Sequence, residues 1–158
     1  MGARHDSHGS ISAAPAILAV PVGRFVLDVR GYQFPLSTEP FDKDWLMVTV
    51  AWEGITIQFE QSGPFILASD LARWADGLLR IATEGSQGEV SFASIEPNVA
   101  ITCSPSQNEH SVTVTLHVQG DSTNCCVERS IIAMDVDLAQ VREFGRALAA
   151  LASRFPAR

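Results

Sequence analysis

The stretch Asp44 to Glu60, DWLMVTVAWEGITIQFE, constrains the fold more than any other part of this sequence. Leu46, Val48, Val50 and Trp52 alternate with Trp45, Met47, Thr49 and Ala51. After Glu53-Gly54, Ile55, Ile57 and Phe59 alternate with Thr56, Gln58 and Glu60. A period of two belongs to a strand with one apolar face. The pattern predicts a hairpin turning on Glu53-Gly54, in which Trp52 faces Ile55, Val50 faces Ile57 and Val48 faces Phe59. All six then lie on one side, as a correct register requires, with Gly54 supplying the positive φ of the bend. The rest of the chain has to cover that apolar face.

A chain of 158 residues, 46% hydrophobic, has the length of one domain and the means to fill its core. Folding at that size buries roughly two thirds of the unfolded surface. No window approaches the ~18 uninterrupted apolar residues of a membrane span. Ala13 to Val22 is apolar but broken by Pro15 and Pro21, and only Arg4 and two histidines precede it, a poor signal-peptide start. Residues 1–24 read as a flexible polar leader containing a candidate edge strand, and residues 25–158 as a single domain. With no export signal, the cytoplasm is the expected location.

Eighteen acidic against eleven basic residues give a net charge of −7 and a pI near 4.9. Lys43 is the one lysine and the arginines are scattered, so the clustered cations of a phosphate-binding surface are missing and direct nucleic-acid binding is excluded. An acidic balance serves solubility, or attraction to a basic protein. The cysteines, Cys103, Cys125 and Cys126, are odd in number with two adjacent, unlike a secreted disulfide framework. Reduced thiols fit them best.

In chain order, Ala16 to Val22 is the candidate edge strand and Phe25 to Arg30 the first clear one. Leu36 to Lys43 reads as a polar loop leading into the hairpin, which Ser62-Gly63-Pro64 closes. Ser69 to Thr83 is a helix with Ser69 as N-cap, Asp70 in the first turn, and Leu71, Trp74, Ala75, Leu78 and Ala82 on one face. Strands follow at Glu89–Ala93, Ala100–Cys103, His110–Val118 and Cys125–Val136. Asp137 to Arg154 is the second helix, with Asp137 and Gln140 placed for a capping box, an apolar stripe from Leu138 to Phe155, and Pro156 as its stop. The expected fold is α+β: a largely antiparallel sheet of roughly six to eight strands with two amphipathic helices on one side, in the order strands, helix, strands, helix. That half-and-half order hints at a structural duplication without a residue-level repeat.

Catalytic equipment is not visible. There is no GxSxG, Walker or dinucleotide glycine pattern, HExxH or CxxC. His5 and His8 lie in the leader, while His110 and His117, at odd separation on one strand, point to opposite faces and share no metal. Cys125-Cys126 with His117 can be drawn as a thiol–imidazole pair, but nothing nearby lowers a thiol pKa. Glu96, in the turn with Pro97 and Asn98, reads as a structural carboxylate. Trp52 and Trp74 sit in apolar stripes as core. No catalytic residue, metal or cofactor is assigned. Composition and spacing leave open an interaction or regulatory domain and a small-molecule binder.

One ordered set of segments goes further: RGYQFP (Arg30 to Pro35), DKDWLMVTV (Asp42 to Val50), the amphipathic helix Leu71 to Leu79, FASIEPNVAI (Phe92 to Ile101), and a closing helix ending RFPAR (Arg154 to Arg158). In this order and spacing the chain resembles the WapI-type immunity proteins over about Phe25 to Arg158. The resemblance implies a cytoplasmic antitoxin that binds the C-terminal toxic domain of a polymorphic toxin, typically a tRNA-cleaving nuclease. The leader Met1 to Arg24 has no counterpart, and Cys125 to Ser130 lacks the Pro-Trp turn often found there. Tyr32, Phe34, Pro35, Trp45 and Pro97 match the pattern as scaffold. A nuclease that grips RNA presents a basic surface, so the expected partner-binding residues are acidic: Glu39, Asp42 and Asp44 before the hairpin and Glu53 at its tip.

Overall fold

The computed structural model of the chain describes residues 13–96, 98–119 and 129–158. Its elements run β1 (Ala16–Val20), β2 (Gly23–Tyr32), β3 (Trp45–Gly54), β4 (Gln58–Leu67), α1 (Ala68–Glu84), β5 (Val90–Ala93), β6 (Val99–Pro105), β7 (Ser111–Gln119), β8 (Arg129–Asp137) and α2 (Leu138–Arg154). All strand pairings are antiparallel, and the α+β order of strands, helix, strands, helix is as expected. The strands divide into two four-stranded sheets, β1-β2-β3-β4 and β5-β6-β7-β8. Each half is a four-stranded meander followed by a helix, so the duplication hinted at by the order is one of architecture.

The inward residues of both sheets and the helix pair make one apolar cluster. The alternation predicts this directly: Phe25, Leu27 and Val29 of β2, Leu46, Val48, Val50 and Trp52 of β3, and Val112, Val114, Leu116 and Val118 of β7 are all buried. The helices lock the halves together. Phe25 of β2 meets Phe144 of α2 edge-on, with centroids 6.1 Å apart. Phe92 of β5 fills the space above Gly77 of α1, where a Cβ would overlap its ring. Each helix thus reaches the other half's sheet. The two run antiparallel, since Gly145 of α2 comes close to Leu79 of α1 while Arg142 donates to the Ala82 carbonyl, 3.0 Å away. That contact brings a cation to the C-terminal turn of α1, which has no basic residue of its own.

The hairpin register differs from the sequence expectation. Trp52 pairs with Phe59 and Glu53 with Gln58, so the loop spans four residues and Ile55 and Ile57 stand in solvent, 83% and 60% exposed. Gly54 does not take a positive φ; Gly23, Gly31 and Gly85 do. Instead the Trp52 indole folds over Gly54, leaving no room for a side chain there. Both favoured two-residue hairpin turns, I′ and II′, need positive φ at the first central position, which Glu53 resists. The slip is an even number of residues, so Phe59 keeps its inward face.

Ser62-Gly63-Pro64 does not end the strand, and β4 continues to Leu67. Pro64 sits at a register shift between the pairs Leu46↔Ile66 and Val48↔Gly63, on an edge strand, where a missing N–H costs no ladder bond. The first helix accordingly starts earlier. Leu67, not Ser69, is its N-cap, and the buried Asp70 accepts the Leu67 N–H at 3.2 Å. The other Asp70 oxygen takes Arg73 at 2.6 Å, and Arg73 also donates to the Ala93 carbonyl of β5. Asp137 is the N-cap of α2 as expected, but its side chain makes no capping hydrogen bond, so the Asp137–Gln140 capping box is not formed.

Candidate partner-binding site

A bulge in β2 creates the arrangement around which this site is built. Val29 pairs with Val48 and Gly31 with Met47, which leaves Arg30 as an extra residue. Gly31, at φ 138°, absorbs the bend. One inserted residue reverses the parity of everything beyond it. Tyr32 now pairs with Leu46 and turns to the helix side, where its ring meets Phe155 edge-on at 6.0 Å. The Tyr32 hydroxyl donates to the Pro156 carbonyl, and the Arg158 guanidinium covers the ring face. Partial burial pushes the Tyr32 phenol above its ordinary value; the Asp44 carboxylate adds to the shift and Arg158 opposes it.

The tail after α2 therefore straps down the segment between β2 and β3. Arg158 donates to the carbonyls of Pro35 (2.7 Å) and Phe34 (3.2 Å), and its amide to Asp44 Oδ1 (2.8 Å). Asp44 also accepts the Ala68 N–H on its own carbonyl at 2.9 Å, which joins the loop to the first residue of α1. At the base of the loop the Gln33 N–H bonds the Trp45 carbonyl, 2.8 Å away.

Between those anchors the backbone makes two turns of the same build. Ser37 N–H bonds the Phe34 carbonyl around Pro35-Leu36, and Asp42 N–H bonds the Glu39 carbonyl around Pro40-Phe41, each at 3.1 Å. Pro at the second turn position sets φ in advance. Leu36 and Phe41 occupy the third positions and are 93% and 87% exposed. The loop is thus not simply polar. The recurrence of Pro-apolar at 35–36 and 40–41 was the available sequence signal for it.

The four expected acids part company here. Glu39 and Asp42 are exposed and flank Phe41 as the first and last residues of its turn. Asp44 is turned to the scaffold instead, its side chain 19% exposed and accepting the Arg158 amide. Glu53 lies at the opposite end of the first sheet, paired at 2.5 Å with Arg24, its cross-strand partner. Glu39, Asp42 and Asp44 share a loop; Glu53 does not join them.

The chemistry-bearing alternatives resolve in part. Cys103 is buried, and burial pushes its thiol up to about 12. Cys125, Cys126 and Pro97 lie outside the described residues, as do His5 and His8. Among the described residues no group of three or more His, Cys, Asp or Glu could hold a metal ion, and no helix is long and apolar enough to cross a membrane. A cavity of about 390 Å³ between the end of β1 and the start of α2 is lined by Pro21, Asp135, Asp137 and Gln140, and a depression of about 530 Å³ beside α1 by Arg73, Asp76 and Arg80. Neither brings a histidine or a thiol to its carboxylates.

Two four-stranded meanders, each closed by a helix, define a duplicated α+β scaffold that presents a strapped, acid-flanked loop at one end. The chain belongs to the immunity protein WapI-like family, whose model matches residues 21–156. That membership gives it an immunity role directed at a protein toxin. No curated relative matches the sequence. Among solved structures the chain is similar to the plant transcriptional regulator PBF-2, with a TM-score of 0.52 and 13% identity, covering 90% of this chain and 81% of that one. At that identity the likeness is one of fold.

Proposed function

We propose that the chain is a cytoplasmic immunity protein that binds and blocks the C-terminal toxic domain of its cognate toxin, a basic nuclease, by an acidic surface centred on Glu39 and Asp42. The observation that carries this reading is the match to the immunity family over residues 21–156. The net charge of −7 supports it, since a nuclease that holds RNA is basic and opposed fields raise association rates. Asp44 contributes by holding the loop and Glu53 stands apart, so the recognition acids reduce to two. Action by contact rather than catalysis needs no cofactor.

The test is to mix the purified chain with the toxic domain encoded beside it and follow RNA cleavage. Stoichiometric inhibition is expected. Reversing Glu39 and Asp42 to Lys should slow association several-fold, with a weaker salt dependence and little change in dissociation. A toxic domain that cleaves at full rate in the presence of excess chain would overturn the proposal.

A further inference from the structure

We infer that the β2–β3 loop engages the toxin through two apolar knobs, Leu36 and Phe41, seated in an apolar recess with a basic rim. The inference rests on the immunity reading above and supplies the contact that the acids alone do not. Rim charges set how fast partners meet, whereas a few desolvated anchors set how long they stay together. Glu39 and Asp42 are of the first kind, and nothing among the sequence-expected residues is of the second.

Leu36 and Phe41 have the properties of anchors. They are the two most exposed large apolar side chains among the described residues. Isolated exposed leucines are ordinary on protein surfaces, and exposure alone says little. What distinguishes this pair is how the backbone under it is held. Each side chain stands at the third position of a proline turn closed by a 3.1 Å hydrogen bond. Both turns lie within the loop closed at its base by the Gln33–Trp45 bond. Arg158 straps the Phe34 and Pro35 carbonyls of the first, and the Lys43 N–H, 3.0 Å from the Glu39 carbonyl, adds a second bond across the other. A loop already fixed in shape loses little conformational freedom on binding, so more of the contact energy of its tips reaches the affinity.

The charge pattern selects the occupant. Carboxylates stand at both ends of the Phe41 turn, so a partner that receives Phe41 meets Glu39 and Asp42 around it and needs cations at its rim. A second copy of this chain offers the same acids and would bring like charges together. The surface therefore fits a basic protein with an apolar recess and disfavours self-association.

The experiment uses the full chain and the toxic domain encoded beside it, with association and dissociation rates measured by surface plasmon resonance. Leu36→Ser with Phe41→Ser should speed dissociation at least ~tenfold, leave the association rate within about twofold, and leave the thermal midpoint unchanged because neither side chain is buried. If the wild-type chain binds and the double variant dissociates at the same rate, the knobs are not anchors and the inference falls while the immunity reading stands. If the wild-type chain does not bind, both fall together. If the wild-type chain self-associates in sedimentation and the double variant does not, the loop is a surface between copies and the inference is overturned.

Discussion

The guanidinium of Arg158 lies 4.0 Å from the centre of the Tyr32 ring, joining the segment after the last helix to the end of the second strand. Residues 126 positions apart in the sequence thereby fix the loop that carries the exposed acids and apolar tips (158 − 32). Arginine suits the position: its planar cation stacks on the ring while its N–H groups still reach the Phe34 and Pro35 carbonyls.

That junction has a titration signature. The folded pKa of Tyr32 is raised above 10.0 by partial burial first, with Arg158 lowering it and Asp44 raising it. Its stabilising contribution is complete below about pH 10 and is lost as pH rises through the folded value, because the unfolded chain ionises first. Tyr32 is the single tyrosine, so phenolate absorbance reports it alone. The native midpoint should lie above 10.0, return there in denaturant, and fall in Asp44→Asn. A native midpoint at or below the denatured one would disprove the packing described for this ring.

The hairpin register can be tested through residues that the two alternatives place differently. Trp52 is 4% exposed and Ile57 is 60% exposed at the tip. Trp52→Ala should cost ~3–5 kcal/mol by opening a core cavity. Ile57→Ser should stay within about 0.5 kcal/mol. Urea unfolding measures both, and comparable losses would mean that Ile57 is buried opposite Val50 after all.

Gly77 offers a test of how α1 seats on the second sheet. In an exposed helix, alanine is favoured over glycine by ~1 kcal/mol. Here a Cβ would overlap the ring of Phe92, which is 5% exposed and has little room to move. Overpacking of that kind costs ~1–3 kcal/mol, so Gly77→Ala should lower the melting temperature. Adding Phe92→Leu should recover part of the loss. A rise in stability for the single variant would show that α1 and β5 are not in close contact.

Much of the architecture is legible in the residues. Alternation marks β2, β3 and β7, helical spacing marks the buried faces of both helices, and the order of elements points to α+β with antiparallel pairing. These features are local: each is set by how one segment divides its apolar and polar side chains between two faces. The family likeness was legible too, in ordered short segments distributed over the chain. The acids at 39 and 42 were visible as charges, but nothing local distinguished them from Asp44 and Glu53, which spend themselves on Arg158 and Arg24.

What the sequence determined alone was the set of elements, their apolar faces and the sign of the surface charge, because these follow from periods of two and of 3.6 residues and from a count of ionisable groups. Tertiary structure decided the division into two sheets, the hairpin register and the direction of Tyr32. A single bulged residue at Arg30 reverses the parity of the strand, and its position is set by pairing with β3 rather than by any pattern within β2. The strap from Arg158 to Asp44 and the Phe34 and Pro35 carbonyls exists only once the helix pair has packed and delivered the chain's far end to that loop.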